Sequence, residues 1–369
     1  MSAHRPVGVG LIGAGVISAE YLGNLTRFPG VDVRFVADLD EGRAAARAAA
    51  FGIPGSGSVE RLLADDDVEI VVNLTLPQVH VEVGLQAIAA GKHVWSEKPL
   101  GLDRASARLL LDAAAGAGLR VAAAPDTFLG AGVQTARRLI EAGVIGVPQS
   151  ALTLLQSPGP ESWHPNPDFL FQDGAGPLFD VGPYYLTALV QLLGPLASVD
   201  AVLGAARETR TIGSGPRAGE TFAVTVPTYV GAGYRFVNGT SAQSVFSFDS
   251  HLQRTRFEVS GSEGTLVVPD VNGFDGELLL YTDGGEPRSI AAVGSTTTRG
   301  TGVAELAEAL REGRPERATG ELAYHVLDAM VSTIEAGETG SPVVIASRPE
   351  VQPALSPEWS ALAAEPVAS

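Results

Sequence analysis

Residues 7–18 read Val-Gly-Val-Gly-Leu-Ile-Gly-Ala-Gly-Val-Ile-Ser, so an apolar run passes directly into a glycine-rich turn. Pro6–Ile12 has the composition of a buried β-strand, and the periodic segment Ile17–Phe28 behind the turn has the pattern of a helix. A strand, a tight turn and a helix in this order form the first unit of a doubly wound parallel sheet. We therefore expect such a sheet in this part of the chain.

Two sets of residues compete for the phosphate-binding role in this turn. Gly8–Gly13 fits the G-x-G-x-x-G pattern letter for letter, but that register would place the only apolar strand candidate in the loop. The register Gly13-x-Gly15-x-x-Ser18 keeps the strand in front and the helix behind. In it Gly13 makes the tight turn, Gly15 lets the backbone approach a pyrophosphate, and Ser18 allows the helix to pack closely on the strand. This register predicts a dinucleotide site at Gly13 and Gly15.

The residues around this turn predict which dinucleotide binds. Val16 and Ile17 stand at the helix N-terminus, whose N–H donors and positive dipole suit a pyrophosphate. Asp38 ends the second predicted strand, where a carboxylate accepts hydrogen bonds from the adenosine ribose and would repel a 2′-phosphate. Leu39 follows at the place where a basic residue would attract that phosphate. The sequence favours NAD, with NADP as the alternative, unless Asp38 is only a solvated strand-end carboxylate.

The first third of the chain alternates short apolar runs with helical patterns, which is typical of a parallel β-α-β sheet. The predicted strands are Pro6–Ile12, Val31–Ala37, Val68–Leu74, His93–Ser96 and Leu119–Ala123, with helices that include Glu41–Phe51 and Val79–Ala90. We expect residues 1–125 to form a Rossmann dinucleotide-binding domain.

From about Val147 the pattern changes to Thr-, Val- and Phe-rich runs at hairpin spacing, which indicates a largely antiparallel sheet. The predicted strands include Phe222–Tyr229, Gly233–Gly239, Ala242–Phe248, Arg256–Ser260 and Thr265–Val268, with turns at Gly231–Gly233 and Gly261–Gly264 and helices at Asp180–Leu193, Val303–Arg311 and Glu321–Ala336. The expected fold is α/β plus α+β. Residues 126–369 would form a C-terminal α/β domain for substrate binding and oligomerisation, with a large, mostly antiparallel open sheet.

Composition excludes several classes of function. The chain of 369 residues has no cysteine, so disulfides, thiolate metal sites and cysteine nucleophiles are ruled out. Its net charge of −17 lacks the basic footprint of a nucleic-acid-binding protein. No apolar run approaches the roughly 18 residues of a membrane span, and we see neither an N-terminal signal pattern nor metal-ligand spacing. We expect a cytoplasmic protein that binds no metal, no nucleic acid and no membrane.

The strand His93–Ser96 runs into Glu97-Lys98-Pro99-Leu100, which puts a lysine at the carboxyl end of a strand in the open sheet. Ligands bind at that edge of such sheets. Proline would hold the backbone stiffly and bias Lys98 toward an extended conformation. Lys98 is therefore a candidate catalytic residue, the alternative being a solvated lysine at a strand end.

These motifs resemble those of the Gfo/Idh/MocA oxidoreductases, named after glucose-fructose oxidoreductase and inositol dehydrogenase. Glu97-Lys98-Pro99 is similar to the family's E-K-P motif, which implies that Lys98 lies beside the nicotinamide and that the Lys–Pro bond is cis. The segment Leu74–His80 resembles the loop that lines the cofactor, which implies contacts from Thr75, Pro77 and His80. Gly174–Tyr184 resembles the family's G-G-G-x-L-x-D-x-G-x-H element, with Tyr184 where many members carry a catalytic histidine.

The resemblance implies hydride transfer between a nicotinamide and a hydroxyl or carbonyl carbon of a sugar, cyclitol or related polyol. On one helix the i, i+4 spacing would put Asp180 and Tyr184 on the same face. We expect Lys98 and Tyr184 to form a proton relay, with the lysine cation favouring the phenolate and burial lowering the pKa of Lys98, while Asp180 orients a substrate hydroxyl. The alternatives are a helix N-cap for Asp180 and a packed core tyrosine for Tyr184.

Three further residues are weaker candidates for substrate contacts. Asp126 follows the last Rossmann strand and should face the same crevice, unless it is only a turn residue. Trp163 and His164 offer an aromatic platform and hydrogen-bonding groups in a Pro-rich loop, although a lone loop histidine is often incidental. The resemblance also implies a homo-oligomer, a dimer or tetramer. Two other activities stay open, namely an oxidoreductase that retains its cofactor between two sugars and a non-catalytic dinucleotide sensor.

Overall fold

The structure is a computed structural model that describes residues 5–282 and 284–363. Its first sheet has six parallel strands in the order β3-β2-β1-β4-β5-β6. They are β1 (Val7–Ile12), β2 (Val31–Ala37), β3 (Gly55–Gly57), β4 (Ile70–Asn73), β5 (His93–Ser96) and β6 (Val121–Ala123), joined by α1 (Ser18–Leu25), α2 (Glu41–Phe51), α3 (Val59–Leu63), α4 (His80–Ala89) and α5 (Arg104–Gly116). The strand order reverses between β1 and β4, which makes the carboxyl ends of these strands the ligand-binding crevice. The predicted Rossmann sheet is confirmed.

Local sequence explains where several of these helices begin. Asp40, Ser58 and Asp103 precede α2, α3 and α5, and each side chain accepts a hydrogen bond from a backbone N–H in the first turn of its helix. Such caps satisfy donors that the helix itself leaves without an acceptor. The starts of these three helices are therefore set by short-range chemistry.

The second sheet has nine strands in the order β16-β15-β14-β13-β7-β12-β11-β8-β17. They are β7 (Pro148–Gln156), β8 (Leu196–Gly204), β11 (Tyr229–Phe236), β12 (Ser241–Ser247), β13 (Arg254–Gly261), β14 (Thr265–Val267), β15 (Glu277–Tyr281), β16 (Arg288–Ala291) and β17 (Val343–Val344), with a separate pair β9 (Thr209–Thr211) and β10 (Thr221–Ala223). Helix α7 (Gly176–Leu193) packs on one face, and α6 (Ala131–Glu141) packs against α7. Strands β7 and β12 run parallel, and every other pair of neighbouring strands in this sheet is antiparallel, so the predicted mostly antiparallel sheet is confirmed.

The turn predicted at Gly231–Gly233 is wrong, because these residues lie inside β11 and pair with β12 and β8. Burial alternates along β11, with Val230, Ala232 and Tyr234 facing the core. This regular alternation continues on both sides of Gly231 and Gly233, so the two glycines are part of the strand. The reversal lies at Gly239, where φ is 89°. The predicted strand Phe222–Tyr229 is likewise split between β10 and β11, whereas the predicted Gly261–Gly264 turn is confirmed.

The chain returns to the first sheet through α8 (Thr301–Glu312) and α9 (Gly320–Thr339). A Cβ on Gly302 would lie 2.0 Å from the ring of Trp95, so α8 can pack this closely on β5 because residue 302 is a glycine. Arg104 on α5 donates hydrogen bonds to Asp328 and Glu335 on α9, at 2.6 Å each. The division into residues 1–125 and 126–369 stays a proposal, and α8 and α9 join the two parts into one continuous core.

Replacing Gly8 by alanine should destabilise the protein. A Cβ there would lie 1.7 Å from the carbonyl oxygen of Asp67, and backbone cannot move aside as a side-chain end can. We expect Gly8→Ala to lower the free energy of unfolding by about 1–3 kcal/mol in a urea titration. The matched control Gly30→Ala has no atom within 4 Å of its new Cβ and should change little. Equal stability of the two variants would contradict the packing of β1 described above.

Candidate active site

The phosphate turn follows the register chosen from the sequence. Gly8 and Gly10 lie inside β1, where close neighbours explain both glycines, since a Cβ on Gly10 would meet the Leu62 side chain at 2.9 Å. Gly13 has φ 105°, and a Cβ on it would lie 2.6 Å from the carbonyl oxygen of Leu74. Glycine is required there because both the backbone conformation and the space exclude a side chain.

The turn leaves a set of donors free for an anionic group. No hydrogen bond within residues 5–282 and 284–363 uses the backbone N–H of Gly15, Val16 or Ile17. Gly15 is exposed, a Cβ on it would meet nothing within 4 Å, and Val16 beside it is 91% exposed. These N–H groups precede α1, whose dipole adds positive potential. The turn therefore fits the pyrophosphate of a dinucleotide.

Asp38 closes the turn from the end of β2. One carboxylate oxygen accepts from the N–H of Ala14 at 2.7 Å, and the other accepts from the N–H of Asp40 and from the guanidinium of Arg43. Burial by itself would raise the pKa of Asp38, but these hydrogen bonds outweigh it and hold the pKa below its ordinary value. The side chain thus stays negative at the position expected to face the ribose. Arg43 is thus a basic neighbour of this carboxylate, which the presence of Leu39 after Asp38 does not reveal.

The loop after β4 contains Thr75 and Pro77, which are partly exposed, and His80, which is buried. His80 Nδ1 lies 2.7 Å from the carbonyl oxygen of Pro99, and Nε2 lies 3.0 Å from that of Thr75. Burial lowers the pKa of His80, so its neutral ring donates to one of these two carbonyls, and with 1% of the residue exposed the side chain packs beneath the loop. The expected cofactor contact at His80 is corrected to a positioning role that joins this loop to the Lys98–Pro99 segment.

Glu97 anchors the segment that carries the lysine. Its carboxylate accepts from the Tyr21 hydroxyl at 2.8 Å and from the N–H of Lys98 at 2.9 Å. Trp95 Nε1 in turn donates to the Tyr21 oxygen at 3.1 Å, so a chain of hydrogen bonds runs from the core to the segment. The Lys98–Pro99 bond is cis, as the resemblance implies.

Lys98 meets α7 at the centre of the crevice. Its Nζ donates to the backbone carbonyl of Asp180 at 2.6 Å and to the carboxylate at 2.9 Å. The same Nζ lies 5.3 Å from the centroid of the Tyr184 ring, within range of a cation–π interaction. Asp180 and Tyr184 both lie inside α7, and the helix N-cap is Ala175, so Asp180 is not a capping residue.

The pKa shift expected for Lys98 is wrong in direction, although the expected cation is retained. Burial lowers the pKa of Lys98, but Asp180, Tyr184 and Glu97 outweigh it, so the pKa lies above its ordinary value. Burial also raises the pKa of Tyr184, although the Lys98 and Arg299 cations oppose this. The resting site therefore holds a lysine cation and a neutral tyrosine, because the paired carboxylate stabilises the cation.

Asp126 does not line the crevice, contrary to expectation. It is 0% exposed, and one carboxylate oxygen accepts from the N–H of Gly300 at 2.8 Å and from that of Gly302 at 3.1 Å. Burial raises its pKa to about 6. Asp126 therefore holds the start of α8 in place, since a carboxylate at that end satisfies helix N–H groups.

Trp163 and His164 lie on the loop after β7, where their rings stack edge to face at 5.6 Å between centroids. Trp163 is 67% exposed, and His164 also packs against Phe169. The contacts found in the described part of the chain do not join either ring to Lys98 or Tyr184. Their expected contact with a substrate stays a prediction.

Arg299 is a residue of this site that no sequence motif marked. It stands in the Ser- and Thr-rich segment before α8, and its guanidinium lies 5.6 Å from the Tyr184 ring centroid. The sole sequence hint is a single basic residue directly before a predicted helix start. The contact itself depends on how α8 packs, which the local sequence does not encode.

A separate cleft of about 550 Å³ lies between α5, α9 and β17. Most of its charged groups are paired, for example Arg108 with Glu321 at 2.7 Å and Arg104 with Glu335 at 2.6 Å, whereas Arg348 donates to backbone carbonyls. Its lining includes none of the candidate site residues. Among residues 5–282 and 284–363 no cluster of three potential metal ligands occurs, and no helix is long and apolar enough to cross a membrane.

Comparison with known families matches two models to the chain. A model of the Gfo/Idh/MocA group, described as an oxidoreductase family with an NAD-binding Rossmann fold, matches residues 7–124. The Gfo/Idh/MocA C-terminal domain model matches residues 133–267. The two matches cover the first sheet, the strands of the second sheet from β7 to β14, and the helix that carries Asp180 and Tyr184.

Curated relatives span most of the chain. The chain is 29% identical to 1,5-anhydro-D-fructose reductase of Ensifer adhaerens, over 90% of this chain and 96% of that protein. It is 30% identical to dTDP-3,4-didehydro-2,6-dideoxy-alpha-D-glucose 3-reductase of Streptomyces antibioticus, over 66% and 69%. It is 29% identical to levoglucosan dehydrogenase of Pseudarthrobacter phenanthrenivorans, over 70% and 72%.

Solved structures share the fold. Levoglucosan dehydrogenase in complex with NADH and L-sorbose superposes with a TM-score of 0.79 at 22% identity, covering 92% of this chain and 99% of that one. An NAD-binding oxidoreductase from Klebsiella pneumoniae has a TM-score of 0.80 at 22% identity, covering 93% and 100%. The whole two-sheet architecture is therefore common to these proteins.

Replacing Gly15 by valine should block dinucleotide binding without unfolding the protein. The open space at Gly15 admits a side chain, but that side chain would occupy the approach of the pyrophosphate to the turn. We expect the Kd for NADH, measured by its fluorescence, to rise about 10-fold or more, a loss of about 1.4 kcal/mol. The control Gly30→Val has equally open space and should bind normally. Normal NADH binding by Gly15→Val would remove this turn from the cofactor site.

Proposed function

Because the chain belongs to the Gfo/Idh/MocA oxidoreductase family, we propose that it transfers hydride between a nicotinamide dinucleotide and a hydroxyl or carbonyl carbon of a sugar, cyclitol or related polyol. The observation that carries the proposal is the contact of Lys98, at the edge of the Rossmann sheet, with Asp180 on the helix that also holds Tyr184. The names of the curated relatives, which are reductases and dehydrogenases of sugar derivatives, support this substrate class.

The cofactor would lie along the crevice at the strand ends. We assign the pyrophosphate to Gly13, Gly15 and the N–H groups of Val16 and Ile17, and the ribose to Asp38. We assign the nicotinamide to the neighbourhood of Thr75, Pro77, Glu97 and Lys98, which follow β4 and β5 at the same edge of the sheet. NAD is favoured because Asp38 is negative and nearly buried, and a 2′-phosphate there would meet that charge at close range.

When bound, the nicotinamide donates or accepts the hydride, and the protein must handle the accompanying proton. Lys98 Nζ has three donors, of which two are bound by Asp180, so the third can hold the oxygen of the reacting carbon. No hydrogen bond in the described residues uses Oδ2 of Asp180, which leaves it free to orient a neighbouring hydroxyl. The Lys98–Asp180 pair thus positions the substrate.

Tyr184 is the group that we assign to proton transfer. As a neutral phenol it can donate its proton to the oxygen that becomes negative when a carbonyl carbon accepts hydride. The Lys98 and Arg299 cations beside its ring then stabilise the phenolate that remains. In the oxidative direction the same phenolate takes up the proton of the alcohol. The resting charge state favours reduction at neutral pH.

We further propose that the protein forms a homo-oligomer, a dimer or tetramer, through the second sheet. Leu152, Val202, Tyr229 and Tyr281 lie on the sheet face opposite α7 and are 36–67% exposed. Exposed apolar side chains on one broad face are typical of a protein–protein contact.

A panel of sugars, cyclitols and polyols tests the function through NADH formation, with NADP in parallel to test Asp38. We expect turnover with NAD, and we expect Lys98→Met to lose roughly 100-fold or more in kcat while NADH binding is kept. Turnover that is unchanged in Lys98→Met would remove the lysine from the mechanism.

NADH binding with no turnover of any compound by the wild type, in either direction, would instead favour a non-catalytic sensor. NADH that stays bound through turnover would favour the enzyme that shuttles hydride between two sugars.

The two reaction directions should differ in pH dependence. Because the pKa of Tyr184 is raised, the phenol is protonated through the neutral range, and the rate of reduction should be flat from about pH 6 to 9. Oxidation needs the phenolate, so its rate should rise about tenfold per pH unit over that range. Lys98→Met should move this rise to higher pH, because it removes a cation that lowers the pKa of Tyr184. An oxidation rate that is flat over this range would exclude Tyr184 as the proton acceptor.

A further inference from the structure

Arg299 is held in the site by a rigid piece of backbone. Asn24 Nδ2 on α1 donates to the carbonyl of Arg299 at 2.9 Å and to the Thr298 hydroxyl at 2.7 Å. The next residue, Gly300, donates its N–H to the buried Asp126 at 2.8 Å. The backbone is thus fixed on both sides of Arg299 by groups from the first sheet and its helices.

The guanidinium lies over aromatic rings on the substrate side of the site. It is 5.6 Å from the Tyr184 ring centroid and 5.5 Å from that of Phe274. Its Nη2 donates a hydrogen bond to Asn272 Oδ1 at 2.7 Å, and the Tyr184 side chain is its second hydrogen-bonding neighbour. No other hydrogen bond found within residues 5–282 and 284–363 uses the guanidinium.

Arg299 carries a positive charge that no ion pair in the described residues balances. Arg104, Arg210 and Arg314 are other partly or fully buried arginines, and each has a carboxylate within 2.6 Å. Arg299 has none within the 4.0 Å limit of a salt bridge. Burial by itself lowers the pKa of Arg299, but Tyr184, Asp126 and Glu97 raise it above its ordinary value, so the group stays charged.

Partly buried charges are retained in proteins where a partner of opposite charge completes them. The pyrophosphate of the cofactor has its own donors, the free N–H groups of the turn before α1. A planar guanidinium with free donors matches a carboxylate, which it can bind through two parallel hydrogen bonds. The carboxylates of Asp126 and Glu97, which act electrostatically on Arg299, disfavour a dianion such as a phosphate ester more than they disfavour a monoanion.

We propose that Arg299 binds a carboxylate of the substrate, so that the preferred substrates are polyhydroxy acids, such as aldonic or uronic acids, rather than neutral sugars. This rests on the proposed function, because Arg299 stands beside the tyrosine assigned to proton transfer. Carboxylate binding at Arg299 places a hydroxyl-bearing carbon of the same molecule between Lys98 and Tyr184.

Matched pairs of compounds with and without a carboxylate test this inference. We would compare glucuronate with glucose and gluconate with glucitol, as ligands of the NADH complex by calorimetry and as substrates with NAD. Wild type should prefer the acid of each pair. In calorimetry Arg299→Gln should raise the Kd of the acid by roughly 10- to 100-fold and leave the Kd of the neutral compound unchanged, whereas turnover of both compounds falls because the cation beside Tyr184 is lost. Arg299→Lys should recover part of the loss, and the exposed Arg207→Gln is the matched control.

Three outcomes would overturn the inference. One is a wild type that binds the neutral compound as well as the acid. Another is an equal loss of binding affinity for the acid and the neutral compound in Arg299→Gln, which would mean that the arginine acts only through Tyr184. The last is weaker NADH binding by Arg299→Gln, which would assign the guanidinium to the cofactor. Arg299-dependent binding of the acid without turnover in either direction would support the inference and contradict the proposed function, so the two failures are distinguishable.

Discussion

The ion pair between Lys98 and Asp180 is the contact on which the site depends. Lys98 follows β5 at the carboxyl ends of the parallel strands, and Asp180 lies on α7, which packs on the second sheet. The pair therefore forms only when both parts of the chain are packed together. With 16% of the lysine side chain exposed, an unpaired ammonium there would lose most of its solvation. The carboxylate offsets that cost and keeps the lysine charged. It also turns Nζ toward the helix that carries Tyr184, so the pairing that stabilises the interface sets the charges available for proton transfer.

The buried carboxyl group of Asp126 is a second constraint on the site. Asp126 is buried with one carboxylate oxygen lacking any partner in the described residues, and its pKa is raised to about 6. Such a group is costly to bury. Its other oxygen accepts two backbone N–H bonds at the start of α8, and those bonds fix the segment that delivers Arg299 to the site. Polar groups that cost stability and hold functional elements are common at sites that bind ligands.

The parts of the fold that the sequence predicted well are those governed by short-range chemistry. The turn at Gly13 needs a positive φ, the helix caps need a side-chain oxygen, and the buried strands need apolar runs. The misread turn at Gly231–Gly233 shows the limit, because two glycines in a strand resemble a turn until the alternating burial of their neighbours is known. The match of Gly8–Gly13 to the dinucleotide pattern arose from glycines that close packing, not phosphate, requires.

Sequence alone determined the Rossmann unit, the position of Asp38, the lysine at the strand edge and the shared helix face of Asp180 and Tyr184. Each of these follows from residues near one another in the chain and from the rule that ligands bind where parallel strands end. Only the tertiary structure decided that His80 and Asp126 are buried supports, that Lys98 is more basic than expected, and that Arg299 enters the site. These features depend on burial and on contacts between segments that are distant in sequence, above all the packing of α8 against β5. A local sequence pattern does not show which distant segments pack together.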